Sequence, residues 1–199
     1  MSFRKEKKYR LTNSEQKLLK SSLINKGMTR LYPKRQVNSC YLDTLDLALF
    51  FDSDEGVLPR RKLRYRWYDD SKEAKKELKV TSIEGRYKII STKKINLDIS
   101  SVKKISHFDR EYGFLYPVIL ISYDREYYIY KNLRITFDTN ITYKDLRGSF
   151  GHQFLDPETV MEIKTSYQQS DDFIESIINY PTVRFSKYSR GILMMEKML

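Results

Sequence analysis

The chain has 199 residues, 37 Lys+Arg against 26 Asp+Glu, and a formal charge of +11, so its partner is expected to be anionic. Cys40 is the single cysteine, which excludes an intramolecular disulfide and a Cys-based zinc site. His107 and His152 carry no metal-ligand spacing, and no apolar run reaches the roughly 18 residues of a membrane span.

The first strand is predicted over residues 3–11, where Arg4, Glu6 and Lys8 alternate with Phe3 and Tyr9. Successive side chains of a strand point to opposite faces, so such alternation gives one charged and one apolar face. Asn13 or Ser14 can cap a helix over 15–26, with Leu18, Leu19, Leu23 and Ile24 as its apolar stripe and Gly27 at its C′ position. A second strand over 37–44 runs into a short helix over 45–51, ended before Gly56. The third strand, 57–68, carries the clearest pattern: Lys62, Arg64 and Arg66 on one face, Leu63, Tyr65 and Trp67 on the other. Asp69-Asp70-Ser71 turns the chain into a fourth strand over 75–81, with Glu77 and Lys79 opposite in direction to Leu78 and Val80. Beyond Gly85 a fifth strand, 86–92, sets Arg86 and Lys88 against Tyr87 and Ile89.

Residues 93–116 read as irregular or partly helical, with a helical turn over 109–113. A long hairpin then pairs 117–129 with 133–143 across Lys131-Asn132. Arg125 lies in its first arm; in its second, Arg134, Thr136 and Asp138 alternate with Leu133, Ile135 and Phe137. A loop over 144–158 leads to the eighth strand, 159–165, with Glu162 and Lys164 against Met161 and Ile163. Ser170 or Asp171 caps a helix over 172–179, which Pro181 stops, and residues 186–195 form a closing helix.

Strands with one basic and one apolar face satisfy both by closing round a polar lumen, with the apolar side outside under helices. The expected fold is therefore mainly β (α+β), an eight-stranded antiparallel closed tunnel forming one domain over residues 1–199. The N-terminus, Met1-Ser2-Phe3-Arg4-Lys5-Glu6, lacks the apolar core of a signal peptide, and a cytoplasmic protein is expected. Arg4, Lys8, Lys62, Arg64, Arg66, Lys79, Arg86, Lys88, Arg125, Arg134, Lys164 and Lys187 would line the lumen, against Glu6, Glu77, Asp138 and Glu162. Unpaired cations at that density repel one another in a closed space unless the resident is a polyanion. Arg forks bind phosphate oxygens in pairs, and Lys adds point charges beside them. A few carboxylates fit a divalent cation such as Mg²⁺ bridging protein and phosphate. Asp138 is expected to orient Arg134 or a lysine, and Asp43 to serve a strand-end turn.

The order of these residues carries a resemblance. Arg4-x-Glu6-x-Lys8-Tyr9, Ser39-Cys40-Tyr41-Leu42-Asp43-Thr44, Lys62-x-Arg64-x-Arg66, Glu77-x-Lys79, Tyr123-x-Arg125, Arg134-x-Thr136-x-Asp138, Glu162-x-Lys164 and Ser186-Lys187-Tyr188 occur in sequence. Together they resemble the VTC domain, the polyphosphate polymerase domain of the vacuolar transporter chaperone family, a branch of the CYTH-like triphosphate tunnel metalloenzymes. The resemblance implies transfer of the terminal phosphate of ATP, or another nucleoside triphosphate, to inorganic polyphosphate with a divalent metal. In that picture Arg64, Arg66, Lys79, Arg125 and Arg134 hold phosphates, Lys8, Lys62 and Lys187 assist, and Glu162 holds the metal, Mn²⁺ or Mg²⁺, with Glu6 and Glu77 as further candidate ligands. The catalytic set is Lys8, Arg64, Arg66, Arg134 and Lys187. The family's eukaryotic polymerases sit in membrane complexes, which allows a membrane partner protein.

Two departures from the wider superfamily bear on the reaction. Tunnel triphosphatases open with Glu-x-Glu-x-Lys, whereas Arg4 stands at the first Glu here, and strand eight has Glu162-x-Lys164 in place of paired carboxylates. Both exchanges favour the polymerase-like branch over hydrolysis. The alternatives are a non-catalytic module that binds polyphosphate or a nucleoside triphosphate, and a tunnel triphosphatase. No nucleic-acid partner is expected: that function needs an exposed basic stripe, whereas these cations are assigned inward. Duplex DNA is also too wide for an eight-stranded lumen.

Overall fold

The computed structural model describes residues 4–97, 102–148 and 151–196, with the side chains of Arg4 and Lys93 outside that description. Phe3, assigned to the first apolar face, also lies outside it. The strands are β1 (Arg4–Thr12), β2 (Thr29–Asp43), β3 (Arg60–Tyr68), β4 (Glu73–Ser82), β5 (Gly85–Asn96), β6 (His107–Asp109), β7 (Gly113–Tyr130), β8 (Leu133–Asp145), β9 (Gln153–Leu155) and β10 (Glu158–Ser166). The α-helices are α1 (Asn13–Asn25), α2 (Ala48–Glu55), α3 (Asp171–Ile177) and α4 (Lys187–Glu196).

Several boundaries follow from local chemistry. Thr12, not Asn13 or Ser14, caps α1, because Thr12-x-x-Glu15 forms a capping box: Glu15 N–H donates to Thr12 Oγ1 and Thr12 N–H to the Glu15 carboxylate. Gly27, at φ +99°, then ends the helix in the left-handed region. Lys131 and Asn132 both take positive φ, the two-residue turn that matches the twist of the β7–β8 hairpin. Ser170 caps α3 through Phe173 N–H, one of the two caps expected.

Backbone hydrogen bonds join the strands in the order β1-β10-β8-β7-β2-β3-β4-β5, with β6 on β7 and β9 on β8. The expected mainly β, antiparallel architecture with helices is present; among the described residues no hydrogen bonds close the sheet, so the closed eight-stranded tunnel is not supported. Among the described residues β1 and β5 are the ends of that order. At β1, Val183 N–H donates to Lys8 O at 2.9 Å, so an irregular segment also bonds to that strand. The stretch expected to be irregular or partly helical, 93–116, contains a short 3₁₀ helix at Val102–Lys104 but also the end of β5, β6 and the start of β7, with 98–101 outside the described residues. Residues 110–112 form the turn between β6 and β7 in place of the helical turn expected at 109–113.

Two compact units draw on separate stretches of chain: residues 1–36, 123–141 and 155–185, and residues 37–122, 142–154 and 186–199. The first has its own core, in which Tyr9, Leu11, Ile135, Phe137, Met161 and Ile163 pack with Leu23 of α1 and Ile174 of α3. In the second, Cys40, Leu42, Leu63, Tyr65 and Trp67 pack with Leu49 of α2. The apolar faces of the alternating strands are thus buried under helices, as the pattern dictates. β5 is the exception: Tyr87, Ile89 and Ile90 remain about half exposed, and Arg86 and Lys88 are exposed as well.

α4 sits on the second unit through Gly191, where a Cβ would come within 2.5 Å of Ile119 Cδ1 and 2.6 Å of Tyr143 Cδ1. Gly191→Ala is therefore expected to destabilise the fold by about 1–3 kcal/mol through overpacking, despite alanine's better helix propensity. A urea midpoint at or above that of the wild type would contradict this seating.

Candidate functional site

In the second unit the ladder register builds a polar face strand by strand. Tyr41 of β2 lies opposite Arg64 and Ser39 opposite Arg66, while Glu77 of β4 flanks Arg64 on its other side. Lys79 lies opposite both Lys62 and Lys88. Arg64 donates to Glu77 Oε2 through Nε at 2.7 Å and also contacts it through Nη2 at 2.6 Å. Lys88 Nζ donates to Glu77 Oε1 at 2.6 Å, and Arg66 Nη1 stands 4.0 Å from the same carboxylate. Burial alone would raise the Glu77 carboxyl, but Arg64, Arg66 and Lys88 outweigh it and hold it down at about 2.

The start of α4 completes this face. Lys62 Nζ donates to Ser186 Oγ at 2.8 Å and stands over the Tyr188 ring at 5.9 Å. Tyr188 stacks on Tyr41, with centroids 4.9 Å apart and planes 13° apart. Arg64 Nη1 donates to Tyr41 Oη at 2.7 Å, and Arg66 Nε donates to Ser39 Oγ at 3.0 Å. Asp43 is fully buried: its carboxylate accepts from the backbone N–H groups of Thr44, Leu49 and Phe50 and from the Tyr188 hydroxyl. It ties β2, α2 and α4 together, a larger role than the strand-end turn expected for it.

The first unit carries a second polar face. Lys8 lies opposite Glu162 and Glu6 opposite Lys164; Glu162 lies opposite Thr136 and Lys164 opposite Arg134. Glu6 pairs with Lys8 at 3.2 Å and Glu162 with Lys164 at 2.8 Å, while Lys8 Nζ also donates to Phe185 O at 3.0 Å. Arg125 grips Asp138 with two hydrogen bonds, Nε to Oδ1 at 2.6 Å and Nη2 to Oδ2 at 2.7 Å. Asp138 therefore orients Arg125, where Arg134 or a lysine was expected; Arg134 is exposed.

The family model of the VTC domain matches residues 3–196. The chain belongs to the VTC domain family. A comparison with curated proteins found no match. Among solved structures, a conserved hypothetical protein from Pyrococcus furiosus is similar at a TM-score of 0.56 and 11% identity, over 94% of this chain and 99% of that one. A candidate adenylate cyclase from Vibrio parahaemolyticus is similar at 0.53 and 14% identity, over 96% and 98%. A candidate adenylyl cyclase from Hippeastrum, described as having a dominant triphosphatase activity, is similar at 0.52 and 15% identity, over 92% of each chain. These likenesses show a shared fold.

Within this VTC domain the predicted site residues divide between the two units. Lys62, Arg64, Arg66, Glu77, Lys79, Lys88 and Lys187 belong to the second; Lys8, Arg125, Arg134, Glu162, Lys164 and Glu6 to the first. Arg86 is an exposed residue of β5, opposite Thr81. The side chain of Arg4 lies outside the described residues. Tyr41, Ser39 and Thr136 were not singled out from sequence as site residues, although the same period-two alternation places each beside a residue that was.

Among the described residues no group of three or more His, Cys, Asp or Glu could hold a metal ion on its own. Glu77 is engaged by Arg64, Arg66 and Lys88 together, which argues against its use as a ligand, whereas Glu162 pairs with Lys164, whose flexible stem can part from it. Glu162 fits better. Thr136 stands across the ladder from it, and the buried Thr136 Oγ1 has no hydrogen-bond partner. With Glu6 on the same face, this is an all-oxygen set that suits a hard divalent cation completed by phosphate oxygens.

Glu77 gives a pH prediction. Its folded value lies below the ordinary 4.5, so its stabilising contribution is full above about 4.5 and is lost as the pH falls through about 2. Denaturant unfolding should show wild-type stability exceeding that of Glu77→Gln by on the order of 2–3 kcal/mol at neutral pH. The difference should shrink across that acid window; a constant difference would show that the ion pairs do not control it.

Proposed function

We propose that the chain binds the phosphate chain of a nucleoside triphosphate or of inorganic polyphosphate, and transfers the terminal phosphate of ATP onto polyphosphate. The observation that carries this reading is the cation excess on the β3–β5 face. Lys62, Arg64, Arg66, Lys79 and Lys88 gather there, and Glu77 is the carboxylate within their ion-pair network. A buried carboxyl held near 2 records the strength of that positive field, which a phosphate chain would neutralise. Membership of the VTC domain family supports the choice of polyphosphate chemistry over other anions.

Phosphoryl transfer asks the protein mainly for alignment and charge neutralisation. Arg64, gripped by Glu77 and Tyr41, and Arg66, anchored on Ser39, present guanidinium groups of fixed orientation. Lys62, anchored on Ser186, and Lys187 at the start of α4 add charge beside them. In the first unit Arg125 is oriented by Asp138, while Lys8, Arg134 and Lys164 supply further charge. Glu162, with Glu6 and the Thr136 hydroxyl, would hold Mn²⁺ or Mg²⁺, which supplies charge neutralisation to phosphate oxygens when bound. The triphosphatase activity described for the Hippeastrum protein favours hydrolysis as the second reading.

Pure protein incubated with ATP and Mn²⁺ should yield polyphosphate chains resolvable on a gel. Release of free phosphate without chain growth would favour the triphosphatase reading, and no transfer with any divalent metal would overturn both. Glu162→Gln should abolish metal-dependent transfer while leaving metal-free tripolyphosphate binding intact. Arg64→Ala should weaken that binding by roughly 1.5–3 kcal/mol for each charged hydrogen bond lost, measured by calorimetry with or without metal.

A further inference from the structure

Two stacked tyrosines sit beside the cation cluster in opposite electrostatic settings. Tyr188 gives its hydroxyl to the buried Asp43, and both burial and that carboxylate push it well above the ordinary phenol value. Burial also pushes Tyr41 up, but Arg64, Arg66 and Lys62 of β3 more than reverse this and bring it down to about 8. Two neighbouring groups pushed apart in this way divide the roles of donor and acceptor between them. Tyr188 remains a proton donor to Asp43, and Tyr41 Oη is left as the acceptor of Arg64 Nη1 at 2.7 Å.

Geometry fixes Tyr41 as firmly as charge does. Its ring is 8% exposed, is stacked on Tyr188 at 4.9 Å, and has the Arg64 guanidinium 5.6 Å from its centroid. The Arg64 fork is thus held from two sides, by Glu77 through Nε and Nη2 and by Tyr41 through Nη1. The charged or titratable groups around Tyr41 are Lys62, Arg64 and Arg66 from β3 and Tyr188 from α4, with Asp43 acting through Tyr188 and Glu77 through Arg64.

We propose that Tyr41 is a positioning residue for phosphate-chain binding: its hydroxyl fixes the Arg64 fork, and it takes up a proton from water when the anion docks beside that fork. This rests on the function proposed above. Without the ligand, the surrounding cations bring ionisation of Tyr41 down to about pH 8, where phenol and phenolate are both populated. When a phosphate chain docks, the phenolate becomes a like charge next to it, and the proton moves from solvent to Tyr41 Oη. Binding of the polyanion is thereby coupled to proton uptake.

The test uses the full chain, metal-free tripolyphosphate and Tyr41→Phe, which keeps the stacked ring and removes the hydroxyl. Tyrosinate absorbance of the free wild type should show one tyrosine ionising near pH 8, absent from Tyr41→Phe and moved upward by tripolyphosphate. Arg64→Gln, read by the same absorbance, should return that step toward the ordinary phenol range and provides the check should Tyr41→Phe fold poorly. Calorimetry at about pH 8 in buffers of different ionisation heat should show the wild type taking up about half a proton more than Tyr41→Phe. The variant should bind about fivefold more weakly at about pH 6.5, as expected for one lost hydrogen bond, and the gap should close by about pH 9. A purely structural role would give a loss independent of pH. That result, or no tyrosine step near pH 8 in the wild type, would overturn this proposal alone. A wild type that does not bind tripolyphosphate would overturn the functional reading first, and this one with it.

Discussion

The second unit depends on a carboxylate with no exposed surface. A buried anion is costly unless donors surround it, and Asp43 has three backbone N–H groups and a tyrosine hydroxyl. Two of those N–H groups open α2 and the hydroxyl belongs to α4, so one side chain sets where both helices meet the end of β2. The effect reaches the cations through Tyr188, which holds Tyr41, which in turn holds Arg64. Orientation of a surface-directed guanidinium is thus inherited from a contact in the interior.

The polar faces use carboxylates as orienting groups more than as neutralising ones. Glu77 and Asp138 each grip an arginine through two nitrogens, and a guanidinium held that way keeps a defined plane. Glu6 and Glu162 meet lysines, whose flexible stems allow the pair to part at small cost. Arg64 and Arg125 are thereby fixed in orientation, while Lys8 and Lys164 keep freedom to move.

Much of this was legible in the sequence because period-two alternation is a strong signal wherever one face is buried. Lys62, Arg64 and Arg66 against Leu63, Tyr65 and Trp67 behave as the pattern requires, and so do Glu162 and Lys164 against Met161 and Ile163. The start of β2 was not legible: residues 29–36 are mostly exposed and contain Pro33, so no buried face writes a pattern there. β5 misled for the converse reason, since its Tyr87 and Ile89 alternate correctly but remain about half exposed. Closure of the sheet was also beyond sequence, because alternation fixes faces and not which edges meet. The partner of Asp138 and the burial of Asp43 depend on neighbours distant along the chain, which spacing cannot reveal.

The glycine at the centre of α4 has a consequence for how the cation face is assembled. A mid-helix glycine lowers intrinsic helix stability by about 1 kcal/mol relative to alanine, and a ten-residue helix is already too short to persist alone in water. α4 is therefore a conditional helix, formed by docking against Ile119 and Tyr143 instead of docking as a finished rod. Its first turn carries Lys187 and Tyr188 and follows Ser186 directly, so these groups acquire their positions in the same event. Helix formation and the placing of these groups are therefore coupled.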